Sequence, residues 1–372
     1  MRIIGRQSVD RPAVCFYEIN GYDENPDDPD PFNIYNHPSW QPLIEITRQK
    51  TDRIVMRSVP FKEAAPDPLA DLTRIEIIER DDSRLTVKTI RADNRLLVER
   101  TRRDRQVNTT WTEEHLLKSV EDLQAYLSLP WPEFSGLPDI SEVLRIEAEL
   151  GDTGIVMIDT PDPLCQAAAL FNMADYTVIA LTEPALFRKL LDRFAQTLQP
   201  QTEAVAQALP GRLWRIYGPE YASPPYLPPR LFREYAVVYD RPMVAAIHRY
   251  GGYARLHCHG KIKAILDDIA STGCMGIDPI EPPPQGDVAL KYVRDHYGDR
   301  LVLFGNLEAS ELEILPTSQF EAKIRTTLQE GTDRALGGFV LMPSSCPYGR
   351  QLPPQALQNY EKMVAVVEEG RF

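Results

Sequence analysis

The feature that most constrains the fold is a regular alternation of strand-like and helix-like segments through the C-terminal two-thirds of the chain. Short apolar runs such as "GIVMIDT" (154–160), "RLWRIY" (212–217), "YARLHCHG" (253–260), "MGID" (275–278), "RLVLFGN" (300–306) and "GFVLMP" (338–343) each lead into a segment with apolar residues at helical spacing. The segment after Thr182 carries a capping signal with Pro184 just inside, and the one ending at Gly251 and Gly252 closes on a glycine pair. Parallel strands need crossover helices, so six such units in a row predict a parallel sheet. "VCFYEIN" (14–20) and "RIVMRSV" (53–59) bring the strand count to eight, the number that closes a (β/α)8 TIM barrel of the α/β class. An open doubly wound sheet is the rival. It is disfavoured because no strand runs into a GxGxxG or P-loop sequence.

Residues 73–110 break this period. They alternate apolar and polar residues two by two, with "DD" and "ADN" as turn signals, and read as an antiparallel hairpin or meander inserted before the third barrel strand. We therefore expect one domain over 1–372 with a β insertion at 73–110. The insertion would act as a surface lid, a packing element, a cover for the mouth or a subunit contact.

Composition narrows function more than fold. A net charge of −13, with no basic run, argues against nucleic acid as a partner, because such binding rests on neutralised phosphates. No stretch approaches the roughly 20 apolar residues of a membrane helix, and the N-terminus has no secretory pattern. Five scattered cysteines do not make a disulfide framework, so a cytoplasmic protein with reduced thiols and a small-molecule substrate is expected.

In a barrel, chemistry gathers where strands run out into the βα loops. The strand ends place Asp159, Tyr217, Glu220, Tyr221, His257, His259, Glu281, Asn306 and Cys346 on that face. Side chains alternate along a strand, so His257 and His259 point one way and Cys258 the other. The two histidines with Cys346 from the last strand would supply three ligands to a zinc ion, Glu220 acting as a fourth ligand or an acid/base. Hydrogen-bonded or substrate-touching histidines are the alternative. Arg350, in the loop after Cys346, is either near an anionic substrate or a solvated loop residue.

The stretches "IHRYGGYARLHCHGKIKAILDDIASTGCMGIDPIEPP", "LVLFGNLEASELE" and "GGFVLMPSSCPYGRQLPPQALQNYEKMV" resemble the C-terminal half of the uroporphyrinogen decarboxylase superfamily. "YGPEYASPPYLPPRLFREY" is similar to the family segment in which an acidic strand end precedes a loop into a helix. The resemblance covers residues 140–372 and implies a (β/α)8 barrel. The Arg-Gln-Ala-Gly-Arg stretch of the true decarboxylases is absent. The resemblance is closer to the branch of zinc-dependent methyltransferases that work with a corrinoid protein, which carry His-x-Cys in the fifth strand and Cys at the end of the last. These positions fall on His257, His259 and Cys346, with His259 standing where that branch has Cys. The resemblance implies His257 and Glu220 as catalytic, and Asp159, Tyr217, Tyr221, Glu281 and Asn306 as lining the substrate pocket. It also implies a corrinoid carried by a partner protein, since no D-x-H-x-x-G sequence is present here. A cofactor-free decarboxylase and a non-catalytic ligand-binding member are the alternatives.

Overall fold

A computed structural model describes residues 1–5, 7, 9–332 and 338–370. Eight parallel strands curl into a TIM-barrel-like sheet: β1 (Ala13–Val14), β2 (Arg53–Arg57), β3 (Gly154–Pro161), β4 (Leu213–Tyr217), β5 (Tyr253–His257), β6 (Gly276–Asp278), β7 (Val302–Leu307) and β8 (Phe339–Pro343). The order runs β1–β8–β7–β6–β5–β4–β3–β2, each neighbour parallel. At the seam between β1 and β2, Asp52 N–H donates to the Val14 carbonyl at 2.8 Å. The Asp52 carboxylate in turn accepts from Val14 N–H at 2.9 Å. Asp52 thus draws the two end strands together where no ladder forms.

The period of two decides what each strand gives to which layer. Met157, Leu213, Val302, Phe304, Val340 and Met342 point inward and form the barrel's own core with Ile4, Ala13 and Ile54. Trp214, Ile216, Ala254, Leu256, Ile277, Leu303 and Leu341 point outward into the larger core beneath the helices. The first strand differs from the sequence reading, which ran it from 14 to 20. It stops at Val14, and the chain turns at Tyr17, whose φ is 56°. The Glu24 carboxylate then accepts from Asn20 N–H and Gly21 N–H, so those donors leave the ladder. The helix read from the stretch 318–338 is Thr317–Thr332, and the remainder of that segment at 333–337 lies outside the described residues.

The insertion is a four-stranded antiparallel meander over Thr73–Glu79, Ser83–Ala92, Arg95–Asp104 and Thr110–Glu114. It runs four residues past the expected end. Ile90, Ala92 and Leu97 are buried in the same core as Leu123 of the helix Val120–Ser128, which packs on their two strands. Burial of Ile90 and Leu97 is worth about 1.5–3 kcal/mol each. The tip is stitched to the loop after β8: Val107 bridges Gly349, Asn108 N–H donates to the Tyr348 carbonyl, and Arg350 N–H donates to the Gln106 carbonyl. The insertion therefore sits beside the C-terminal ends of the barrel strands.

Candidate active site at the barrel mouth

The register of β5 against β6 sets His257 directly opposite Asp278. Their side chains meet at 2.7 Å, Nδ1 to Oδ2. A carboxylate only accepts, so the proton sits on Nδ1 and the Nε2 lone pair is left for chemistry. Two residues earlier on β5, Arg255 points the same way, its Nε 2.8 Å from Asp278 Oδ1. That N–H is not aimed along the line, so the contact is ionic and not a directional hydrogen bond. Arg255 also lies over the Phe304 ring at 4.6 Å. Asp278 is fully buried, which alone would raise its pKa, but the Arg255 guanidinium and His257 outweigh burial and hold it at about 2. It is ionised at every ordinary pH.

His259 lies just past the strand end and repeats the arrangement with another carboxylate. Its Nδ1 is 2.8 Å from Glu281 Oε1, while Glu281 Oε2 accepts from Gly260 N–H at 2.6 Å. Burial pulls the His259 pKa down, but the Glu281 carboxylate outweighs it and the net shift is upward. Glu281 moves the opposite way: burial raises it, and the bond to His259 brings it below the usual range. The two imidazoles stand edge to face with centroids 4.5 Å apart, and the His259 side chain is 37% exposed. Cys258, between them, is buried among outward-facing core residues.

Beside them, Arg215 on β4 grips Asp159 on β3 with two bonds of 2.6 and 2.9 Å and donates a third to the Tyr17 hydroxyl at 2.7 Å. Asp159, read as a substrate contact, is thus held by a guanidinium. Tyr217 packs its ring on Arg215 at 5.2 Å. The Tyr221 carbonyl accepts from the Tyr176 hydroxyl at 2.8 Å. Asn306 is buried and accepts from Thr327 Oγ1 at 3.3 Å, which ties it to the helix layer. Glu220 accepts from Gly218 N–H at 2.9 Å. Gly218 has φ of 129°, and a Cβ there would fall 2.1 Å from Asp162 Oδ1, so the loop holding Glu220 needs glycine. Behind it lie Asp162 and Asp240, both fully buried. Burial raises both carboxyls above the ordinary range, the Asp240 charge raises Asp162 further, and the Glu220 charge adds to both.

Cys346 leaves the end of β8 and meets Glu18, Sγ to Oε2 at 3.4 Å. Burial, then the Glu18 charge, raises its thiol well above the ordinary range. The donor chemistry needed for zinc is half present. Two imidazoles backed at Nδ1 by carboxylates with Nε2 open are what a metal-binding histidine pair needs. The third donor does not join them: among the described residues no three His, Cys, Asp or Glu side chains converge on a metal position. The expected trio of His257, His259 and Cys346 therefore does not fit a zinc ion as arranged. Arg350, the loop arginine, is a structural tie. It donates to the Arg105 carbonyl at 2.7 Å, to Asn36 Oδ1 at 2.9 Å and to the Pro31 carbonyl at 2.5 Å.

Residues 109–369 match the family Uroporphyrinogen decarboxylase (URO-D). The chain belongs to the URO-D family. Two Methanosarcina barkeri proteins, both named Methylcobamide:CoM methyltransferase MtaA and one from strain Fusaro / DSM 804, are each 25% identical to it over 236 residues. That stretch is 63% of this chain, and the chain spans 64% of the length of those relatives. A solved structure described as a methyltransferase from Methanosarcina mazei has a TM-score of 0.60 at 16% identity, covering 99% of this chain and 97% of its own. The last likeness shows the fold. The relatives fit the methyltransferase branch of the URO-D superfamily.

The site also contains Asp278, Arg255, Arg215, Tyr17 and Glu18, which are not among the residues expected from the sequence. Arg215 and Arg255 were within reach, since each lies two residues before a chosen strand-end residue and so shares its face. Asp278 ends its strand as well, three residues before Glu281. Tyr17 and Glu18 arrive through the turn after β1, a geometry that no local pattern announces.

Proposed function

We propose that this chain is a cytoplasmic methyltransferase that moves a methyl group from a corrinoid on a partner protein to a small-molecule acceptor, a thiol or similar group. The observation that carries this reading is the paired set of carboxylate-backed imidazoles, His257 on Asp278 and His259 on Glu281, at the end of β5. The names of the curated relatives support it.

The corrinoid would supply a methyl group as an electrophile and keep the electron pair of the broken cobalt–carbon bond. As the acceptor's X–H bond gives way to X–CH3, its proton needs a base. His257 Nε2 takes that proton, and Asp278 stabilises the resulting imidazolium from the Nδ1 side. His259, held toward its protonated form by Glu281 and by the charge of Glu220, steadies the negative charge that builds on the acceptor atom. Zinc held by His257, His259 and Cys346 belongs to the same reading only if Cys346 leaves Glu18, and no step here passes through it.

The test is loss of methylcobalamin absorbance in the presence of a thiol acceptor. Wild type consumes the methyl donor, and His257→Ala slows it by about 100-fold or more, the usual worth of a general base. Wild type with no methyl consumption, or His257→Ala at wild-type rate, contradicts the proposal.

A further inference from the structure

We propose that Arg84, Arg103 and Arg105 of the inserted sheet form a binding site for the three-oxygen end of a phosphate-bearing small molecule, at the rim of the barrel mouth. The three guanidinium carbons gather around one buried ring, Phe32, at 4.6, 5.9 and 5.7 Å from its centroid. Arg84 and Arg103 are directly opposite on neighbouring strands, and Arg105 follows in the turn just past the strand end at Asp104, its guanidinium over the same ring. Like charges set opposite each other destabilise a sheet unless something neutralises them. The Phe32 face offsets part of that repulsion.

One carboxylate supplies part of the rest, Glu79 beside Arg84 at 2.5 Å. Among the described residues, neither Arg103 nor Arg105 has a carboxylate within ion-pair distance. Arg103 donates to the Phe32 carbonyl and to Asn108 Oδ1, each at 3.2 Å. Among the described residues, the buried Nε atoms of Arg103 and Arg105 meet no acceptor. This occurs in a chain with 54 acidic and 41 Lys and Arg side chains, where a nearby carboxylate is the default.

The position is also informative. Arg105 gives its carbonyl to Arg350, and the adjoining residues 106–108 are pinned to Tyr348, Gly349 and Arg350, in the loop that carries Cys346. A ligand seated on the trio would extend toward the mouth. Guanidinium groups match phosphate oxygens with paired N–H donors, and three of them offer more donors than a two-oxygen carboxylate can accept.

The experiment is calorimetric titration of the full chain with inorganic phosphate, and separately with acetate, at matched ionic strength. Saturable phosphate binding, stronger than acetate, is the expected result, and Arg105→Gln should weaken it about tenfold. A second variant guards against misfolding. Asn108→Asp keeps the acceptor on Arg103, adds an internal negative charge and should weaken phosphate to a similar degree. No saturable phosphate binding to wild type, equal binding of phosphate and acetate, or unchanged phosphate affinity in both variants overturns the proposal and leaves the trio a packing device around Phe32. The readout is binding alone, so it stands apart from whether the chain transfers methyl groups.

Discussion

Replacing Asp278 with Asn probes the site and the fold through one atom. Arg255 and Asp278 are both essentially inaccessible to water, and the ionic contact between them is 2.8 Å. Removing the carboxylate's charge leaves a guanidinium buried without compensation, a change that costs about 3–5 kcal/mol. A second route gives a lower figure. The Asp278 carboxyl titrates at about 2 against an ordinary 3.8, and a shift of that size is worth about 2 kcal/mol. The difference is the penalty of stranding Arg255, which protonation and amide substitution share only in part. A depressed pKa stabilises above the unfolded value, so this contribution is lost as pH falls from near 4 through about 2.

Equilibrium urea unfolding at pH 7 is the assay, with the slope of the transition unchanged between wild type and variant. Asp278→Asn should lose about 3–5 kcal/mol. Coupling it to Arg255→Met removes the stranded charge and should recover much of the loss. A single variant within about 1 kcal/mol of wild type, or a double variant worse than the sum of the singles, would refute the reasoning. Any Asp278→Asn protein that folds should still lose activity, because an amide that donates to Nδ1 moves the proton to Nε2.

Three further outcomes follow from the same electrostatics. Glu281→Gln removes the group that outweighs burial at His259, so the His259 titration followed by NMR should move down; an unchanged midpoint would place the upward shift elsewhere. Asp162 and Asp240 have raised folded pKa values, so their contribution is full at acidic pH and lost as pH rises through those values. Asp240→Asn should therefore flatten the decline in thermal stability as pH rises, and parallel wild-type and variant profiles would contradict the raised carboxyls. Iodoacetamide should alkylate Cys346 slowly at pH 8, and Glu18→Gln should speed it about tenfold by removing the adjacent charge. A rate unaffected by Glu18 would mean that burial alone sets the thiol.

The parallel sheet was legible because crossover helices force a period on the sequence, and the count of eight strands with no glycine-rich phosphate loop favoured the barrel over an open sheet. The inserted meander was legible from period-two alternation, and only its last strand, Thr110–Glu114, fell outside the expected range. Of the site, the pair His257 and His259 was visible from alternation at one strand end. Their carboxylates were less so: Glu281 was chosen as a pocket residue, and Asp278, which holds the inner histidine, was passed over. Cys346 was correctly put beyond the last strand, but its neighbour there is Glu18, which comes from the opposite end of the chain. Cross-strand spacing is set by barrel closure, and sequence separation carries no trace of it. Asp159 and Asn306 show the same limit, since a polar strand end reads alike whatever its cross-strand partner, which is Arg215 for one and Thr327 for the other.

The most direct test of the proposed activity follows the methyl group itself. The chain is incubated with a thiol acceptor and a corrinoid protein bearing a carbon-13 methyl group, and the acceptor is read by mass spectrometry. The account predicts a labelled, methylated acceptor with wild type and none with the His257→Ala, His259→Ala double variant. An unlabelled acceptor with wild type, or equal labelling by the double variant, would contradict it. Carbon dioxide released from a porphyrinogen by the same preparation would assign the paired histidines to decarboxylation instead.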